Sequence, residues 1–402
     1  MHVVIVGASV AGIRTVQALR AQSYDGRITV LGDELHPPYD KPPLSKEMLD
    51  PVADGSPVEL VDAQTLEALS VDLRLGVRAT AVDTDAKVVS TDSIGEIAYD
   101  TLVIATGMSP RTLPEADRFA NVYTIRTVDD ARALHAELSI GRRVVVIGAG
   151  FIGAEFASAA RSHGVAVTLV EAQEAPLAAQ LGASVGITLA ELHSHNGVQI
   201  HTGVRCAGFT GDGRVTAVNL SDGHSLPADF VVVGIGASPA VDWLKSSGIE
   251  LDNGIRCDAT LRAKGCHDIY AAGDVAYREH PTYGEPMRIE HWTNANDHAA
   301  IIAADLLGAA PPRPTLPYVW SDQYGKRIQI VGRPAAGVPT IRTGTAVTGD
   351  LVVGYTDSHG VVVGALVVDN PRLLMKLRRA ITAGADRAEV EAAVLATAPA
   401  GA

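Results

Sequence analysis

The sequence predicts an α/β fold with two Rossmann-type units in series and a small α+β domain towards the C-terminal end. Three stretches predict it: VVIVGASVAGIRTVQALR from Val3, RVVVIGAGFIGAEF from Arg143, and the strand-rich tail from Pro317. In the first two, a short apolar run stops at a glycine and gives way to a helical segment. A strand, a glycine turn and a helix in that order form one crossover unit of a parallel sheet.

In the first unit, Val3 to Val6 is the strand, Gly7 ends it, and Ile13, Val16 and Leu19 form the helical stripe. The helix start offers free N–H groups and a positive dipole end to a pyrophosphate. Gly7 and Gly12 occupy the outer positions of the dinucleotide fingerprint, and Ser9 stands where its middle glycine is expected. Serine is small, so a phosphate still fits, although the fine geometry there differs. The next strand, Ile28 to Leu31, ends in Gly32, Asp33 and Glu34, where an acid holds a ribose hydroxyl. The sequence does not separate Asp33 from Glu34.

The string HPPYDKPPLSKEML, from His36, is too rich in proline for regular structure before Leu44. It reads as a stiff loop along a bound dinucleotide. It then opens a helix near Ser45, the expected N-cap, and puts Lys46 within reach of the cofactor. Short strands follow between Val71 and Val89, then the buried strand of YDTLVIATG, Arg126 in YTIRT, and a helix from Val128 to Leu138.

The second unit is complete: Gly148, Gly150 and Gly153 follow the strand Val144 to Ile147, with Phe151, Ile152 and Glu155 in the helix after the turn. Its second strand ends in Glu171, an acid that accepts hydrogen bonds from a free ribose 2′-hydroxyl and repels a 2′-phosphate. No Lys or Arg lies between Arg161 and Arg205 to hold such a phosphate. NADH is expected rather than NADPH. Two dinucleotide sites in one chain exceed the needs of one substrate, so one is read as holding a resident flavin and the other a visiting nicotinamide. Hydride transfer needs the two rings in contact, so the domains are expected to face each other.

Further along, FVVVGIGASP from Phe230 ends a run of strands. DIYAAGDVA from Asp268 places Asp274 at a strand end, suited to a flavin ribityl chain. A helix runs from Asn294 to Leu307. The tail carries strands near Leu351 to Tyr355 and Val361 to Val368, then a basic helix from Pro371 to Ala383. His193 and His195 alternate like strand residues and read as solvated, and His291, beside Trp292, reads as lining the flavin pocket.

With 402 residues the chain has room for two or three domains, and 47% hydrophobic with 20% charged residues is a globular composition. A net charge of −13 argues against a nucleic-acid partner. No apolar run reaches membrane-spanning length, and Met1 and His2 lead straight into a strand, so neither membrane nor leader is expected. Cys206, Cys257 and Cys266 form no CxxC pair. A reducing cytoplasm is expected, without disulfides, zinc or an iron–sulfur cluster.

Together GASVAG, PYDKPPLSK, TLVIATG, GAGFIGAE, DIYAAGDVA and WSDQY resemble the FAD-dependent NADH:ferredoxin reductases of cytochrome P450 and Rieske-type oxygenase systems, the putidaredoxin and rhodocoxin reductase type. The resemblance spans almost the whole chain. It implies a glutathione-reductase-like fold: an FAD-binding domain of residues 1–112 and 242–316, an NADH-binding domain of 113–241, and a C-terminal α+β domain of 317–402. It implies non-covalent FAD, NADH as hydride donor, single-electron delivery to a [2Fe–2S] ferredoxin, and a cytoplasmic monomer or weak homodimer. For FAD it implies Gly7, Ser9, Ala11 and Gly12 at the pyrophosphate, Asp33 or Glu34 at the adenosine ribose, Ala79 at adenine, Arg126 and Asp274 on other parts, and Trp292 and Trp320 flanking the ring. For NADH it implies Gly148, Gly150, Phe151, Ile152, Gly153, Glu155, Glu171 and Gly236. Lys46, paired with Glu155, would sit by the flavin ring as an electrostatic rather than proton-donating group.

Disulfide reductases of this fold need a cysteine pair after the first nucleotide unit, and the NADH oxidase and peroxidase relatives need one cysteine in the region of Pro42 to Lys46. Neither is present, so electrons are expected to leave the flavin directly. A small-acceptor reductase or NADH oxidase is the alternative enzyme, and an NADH-sensing protein of the apoptosis-inducing-factor type the alternative of another class. For an acidic ferredoxin, the docking cations are sought in Lys326, Arg327, Arg372, Lys376, Arg378 and Arg379.

Overall fold

A computed structural model describes residues 1–395. By its contacts the chain divides into two compact units. The first comprises Met1–Lys41, Pro57–Ser109 and Ala237–Pro317; the second comprises Pro42–Ser56, Pro110–Gly236 and the chain from Tyr318.

The first unit is built on a five-stranded parallel sheet in the order Ile269–Ala271, Thr101–Ile104, His2–Val6, Arg27–Gly32, Asp72–Leu75. Ile5 pairs with Val30 on one side and Val103 on the other, and the run Val3–Val6 of this central strand is apolar and buried, as expected of a strand covered on both faces. The Val10–Ala21 helix packs on the Trp292–Leu306 helix, burying Ile13, Val16 and Leu19.

The second unit repeats the plan, with parallel order Gln199–Thr202, Ala166–Glu171, Arg143–Ile147, Phe230–Val233, Val122–Tyr123. The tail folds as a five-stranded antiparallel sheet, Tyr318–Gln323, Lys326–Gly332, Val362–Val368, Val352–Thr356, Val338–Thr343, followed by the Pro371–Ala383 helix. This sheet shares one core with the Ala183–His195 helix: Val185, Leu189 and Leu192 pack among Ile328, Val353, Tyr355 and Leu366.

Two local readings are corrected. The chain around Ser45 forms two short 3₁₀ turns, Pro42–Ser45 and Glu47–Leu49, instead of a capped helix, because Ser45 spends its hydroxyl on Glu155. His193 and His195 lie in the Ala183–His195 helix, not a strand. His193 is buried, its Nδ1 2.7 Å from the Tyr324 hydroxyl, while His195 is exposed. The segment Pro42–Ser56 is grouped by its contacts with the second unit. Beyond Ser45 and Lys46, the Leu49 and Asp50 carbonyls meet the Nε2 atoms of His163 and His135 at 2.8 and 3.2 Å. No helix of the described residues is long and apolar enough to cross a membrane.

Candidate functional site

The two glycine turns are built alike. In the first unit the Gly7 amide donates to Leu31 O at 2.8 Å and Ala105 donates to Val6 O at 2.7 Å. In the second, Gly148 donates to Val170 O and Gly234 to Ile147 O, both at 2.7 Å. Gly7 and Gly148 have φ of +120° and +101°, and a Cβ on either would lie 2.2 or 2.3 Å from the carbonyl oxygen of Ala105 or Gly234. Gly12 and Gly153 are excluded from bearing a side chain for a second reason. A Cβ there would lie 1.9 or 2.0 Å from Gly7 O or Gly148 O, where helix and strand nearly touch. The middle position differs: a Cβ on Gly150 meets nothing within 4 Å. That open space explains how Ser9 fits the equivalent place.

Both helices begin without a side-chain cap and without an acid in the first turn. The Val128–Glu137 helix, by contrast, has a full Thr127–Asp130 capping box and two first-turn acids. Helix starts left this way keep N–H groups and dipole for an anion. Two dinucleotide pyrophosphates fit, one per unit. Three buried nitrogens of the first unit, Arg14 Nε, Trp243 Nε1 and His291 Nδ1, also have no partner among the described residues.

The other candidate residues of the first unit are placed as follows. Ala11 is buried in the first helix, its Cβ close to where one on Gly273 would lie. Glu34 is engaged within the protein, accepting from the Tyr39 hydroxyl and from Lys41 Nζ at 2.9 Å. Asp33 is 59% exposed, with Arg78 Nη2 3.7 Å from its Oδ2. Ala79 is buried at the head of the Ala79–Asp83 strand. Trp292 donates from Nε1 to Asp40 Oδ1 at 2.7 Å, with the Arg14 guanidinium 6.0 Å from its ring. Asp274 sits in the Gly273–Val275 turn. That turn is anchored by a residue the sequence did not single out: His298, fully buried, accepts the Gly273 N–H on Nδ1 at 3.1 Å. Burial and the nearby Arg278 and His280 hold this imidazole well below its usual pKa, so it stays a neutral acceptor.

In the second unit Phe151 and Ile152 open the Phe151–Ser162 helix, Ile152 exposed. Glu171 Oε2 accepts the Ala149 amide at 2.8 Å and Oε1 that of Gln173 at 2.9 Å, which pins the glycine turn to the strand end. Gly236 has φ of +93° with open space over it. The Arg126 amide is held by Asp130 Oδ2 at 2.9 Å. Trp320 stacks with Tyr318, ring centroids 6.0 Å apart. Trp292 and Trp320 thus belong to different units.

Lys46 and Glu155 do meet. Lys46 Nζ lies 2.7 Å from Glu155 Oε2 and donates also to Pro42 O at 3.1 Å. The side chains are 13% and 3% exposed. Two serines that the sequence did not single out as site residues complete the carboxylate's shell: Ser45 Oγ donates to Oε2 at 2.5 Å and Ser321 Oγ to Oε1 at 2.6 Å. Both stand inside motifs already noted, PPLSK and WSDQY, which is the signal that marked them.

Residues 1–299 match the pyridine nucleotide-disulphide oxidoreductase family, and residues 318–399 match the reductase C-terminal domain. The chain belongs to that oxidoreductase family, in the branch that carries the reductase C-terminal domain. It is 40% identical over 391 residues to the anthranilate 1,2-dioxygenase system ferredoxin–NAD(+) reductase component of Burkholderia cepacia, covering 95% of this chain and 94% of the relative. It is 35% identical to rhodocoxin reductase of Rhodococcus erythropolis, covering 87% and 82%. The structure of a covalent putidaredoxin reductase–putidaredoxin complex matches with a TM-score of 0.92 and 32% identity, covering 100% of this chain and 99% of that one. The resemblance drawn from the motifs is borne out, and so is the fold class.

Proposed function

We propose that this protein is an NADH-dependent, FAD-containing ferredoxin reductase that supplies electrons to an oxygenase. The observation that carries the reading is the pair of alike glycine turns feeding two uncapped helices, joined in one chain to a reductase C-terminal sheet. FAD and NADH are its cofactors. When bound, FAD would supply a centre able to accept a hydride from NADH and to pass electrons on one at a time. The first unit would hold FAD through the turn at Gly7, Ser9, Ala11 and Gly12, with Asp33, the less engaged acid, at the ribose, and Ala79 and Asp274 elsewhere along it. The resemblance adds Arg126, Trp292 and Trp320. The second unit would hold NADH along Gly148 to Gly153, with Glu171 at the ribose and Gly236 lining the nicotinamide channel. We retain a three-body division, 1–112 with 242–316, 113–241 and 317–402, as the functional one.

Lys46 holds a positive charge whose position is fixed by Glu155 and Pro42 O. Beside the flavin, as the resemblance implies, such a cation would stabilise negative charge on the ring. The three cysteines are poor candidates for an electron relay. Burial pushes the Cys257 thiol up to about 12 and raises Cys206 and Cys266, so no reactive thiolate is present at neutral pH.

The acceptor in this reading is a small acidic [2Fe–2S] ferredoxin, met by a monomer or weak homodimer in the cytoplasm. Among the docking cations, Arg327 is paired with Asp322 at 2.7 Å and Lys326 lies 3.6 Å from Asp369. Arg372, Lys376 and Arg379 are exposed on the Pro371–Ala383 helix and form no ion pair among the described residues, which favours that helix as the docking face. The test is anaerobic mixing of the NADH-reduced protein with a [2Fe–2S] ferredoxin. Ferredoxin reduction that slows as salt rises supports the reading; no reduction defeats it.

A further inference from the structure

We propose that Ser321 and Gln323, on the C-terminal sheet, are positioning residues for hydride transfer that act through Glu155 on Lys46. The inference rests on the reading that the Lys46–Glu155 pair serves the nicotinamide and flavin.

The strand Tyr318–Gln323 alternates, so Ser321 and Gln323 share a face, and both are buried, at 0% and 3% exposed. Gln323 Nε2 donates to Ser321 Oγ at 3.0 Å, and Ser321 Oγ passes its own proton towards Glu155 Oε1 at 2.6 Å. A hydroxyl has one hydrogen. With the Gln323 amide donating to its oxygen, that hydrogen goes to the carboxylate, and the chain acquires a direction. The other carboxylate oxygen serves Ser45 and Lys46. The two oxygens are therefore held by different segments: Oε2 by residues 45 and 46, Oε1 by the C-terminal strand.

Ser45, Glu155, Ser321 and Gln323 are each at most 3% exposed, so no solvent stands ready to replace a lost donor. Without the Ser321 hydroxyl, Oε1 becomes an unsatisfied anionic acceptor beside a flexible ammonium. The ammonium then has reason to turn from Pro42 O and bridge both oxygens. The charge moves, and a site that depends on its placement slows.

The experiment uses the FAD-loaded protein in anaerobic stopped-flow with NADH, comparing Ser321→Ala, Gln323→Met, Glu155→Gln and the Ser321→Ala/Glu155→Gln double variant. Ser321→Ala is expected to lower the limiting rate of flavin reduction about tenfold, with NADH affinity and FAD content within about twofold of the parent. Gln323→Met, which keeps volume and removes the donor, lowers it about threefold and carries the test if Ser321→Ala fails to fold. In the Glu155→Gln background, Ser321→Ala adds no further loss. A slow Glu155→Gln variant beside parental rates for Ser321→Ala and Gln323→Met overturns this proposal alone. So does a Ser321→Ala loss that is undiminished in the Glu155→Gln background. A parental rate in Glu155→Gln itself overturns the proposal together with the reading beneath it.

Discussion

Lys46 Nζ and Glu155 Oε2 lie 2.7 Å apart, joined across 109 positions of sequence in a place almost closed to solvent. Removing one member of a buried pair leaves the other charge uncompensated, at a cost of about 3–5 kcal/mol when nothing else satisfies it. Here Ser45 and Ser321 still donate to Glu155, so Lys46→Met is expected to fold with a lowered melting temperature. Its flavin should be reduced by NADH at least about tenfold more slowly. Stopped-flow and thermal denaturation check the two parts; unchanged kinetics in a folded, yellow variant would remove Lys46 from the account.

The glycine turns give a contrast within one motif. Gly153→Ala forces a Cβ to within 2.0 Å of the Gly148 carbonyl and is expected to cost about 3 kcal/mol or more, or to prevent folding. Gly150→Ala meets no protein atom and should melt within a degree or two of the parent while weakening NADH. Gly12→Ala should abolish FAD retention. Melting curves, FAD content and NADH titration distinguish these outcomes.

Coenzyme choice follows from Glu171. Replacing it by Ala removes both the charge that opposes a 2′-phosphate and the acceptor for the Ala149 amide. The NADH-to-NADPH ratio of kcat/KM should fall by about tenfold or more, with part of the change a loss on NADH. Steady-state kinetics with both coenzymes measure it; an unchanged ratio would place coenzyme selection elsewhere.

Acid should loosen the junction between the Ala183–His195 helix and the C-terminal sheet. Burial lowers the His193 pKa to about 4, below its ordinary 6.5. The unfolded chain therefore binds a proton between these values that the folded chain refuses, and stability is lost as pH falls through that window. Between pH 7 and 5 this single group removes about 2 kcal/mol. His193→Gln should melt with a shallower dependence over the same range. Equal slopes would show that His291, also lowered to about 4, and His298 dominate instead.

Local chemistry was legible where one element carries it. Strand, glycine and helix lie side by side in sequence, so both turns and the acid after each could be read in order. The carboxylate's shell could not, because Ser45 and Ser321 stand 110 and 166 positions from Glu155. Ser45 was read by the local N-cap rule, and a tertiary partner outbid it. His193 was misread because HSH alternates over three residues, while Val185, Leu189 and Leu192 already mark the longer helical stripe that decides the matter. The two acids after the second strand look alike in sequence; they part only when Tyr39 and Lys41 fold back onto Glu34.

The most direct test of the whole account is one anaerobic experiment on the purified protein: NADH is added first, then oxidised [2Fe–2S] ferredoxin, with the visible spectrum followed throughout. The protein is expected to be yellow, to be bleached by NADH far faster than by NADPH, and to be recoloured as the ferredoxin is reduced. A colourless protein that takes up no FAD, or a bleached one that ferredoxin cannot reoxidise, would contradict it.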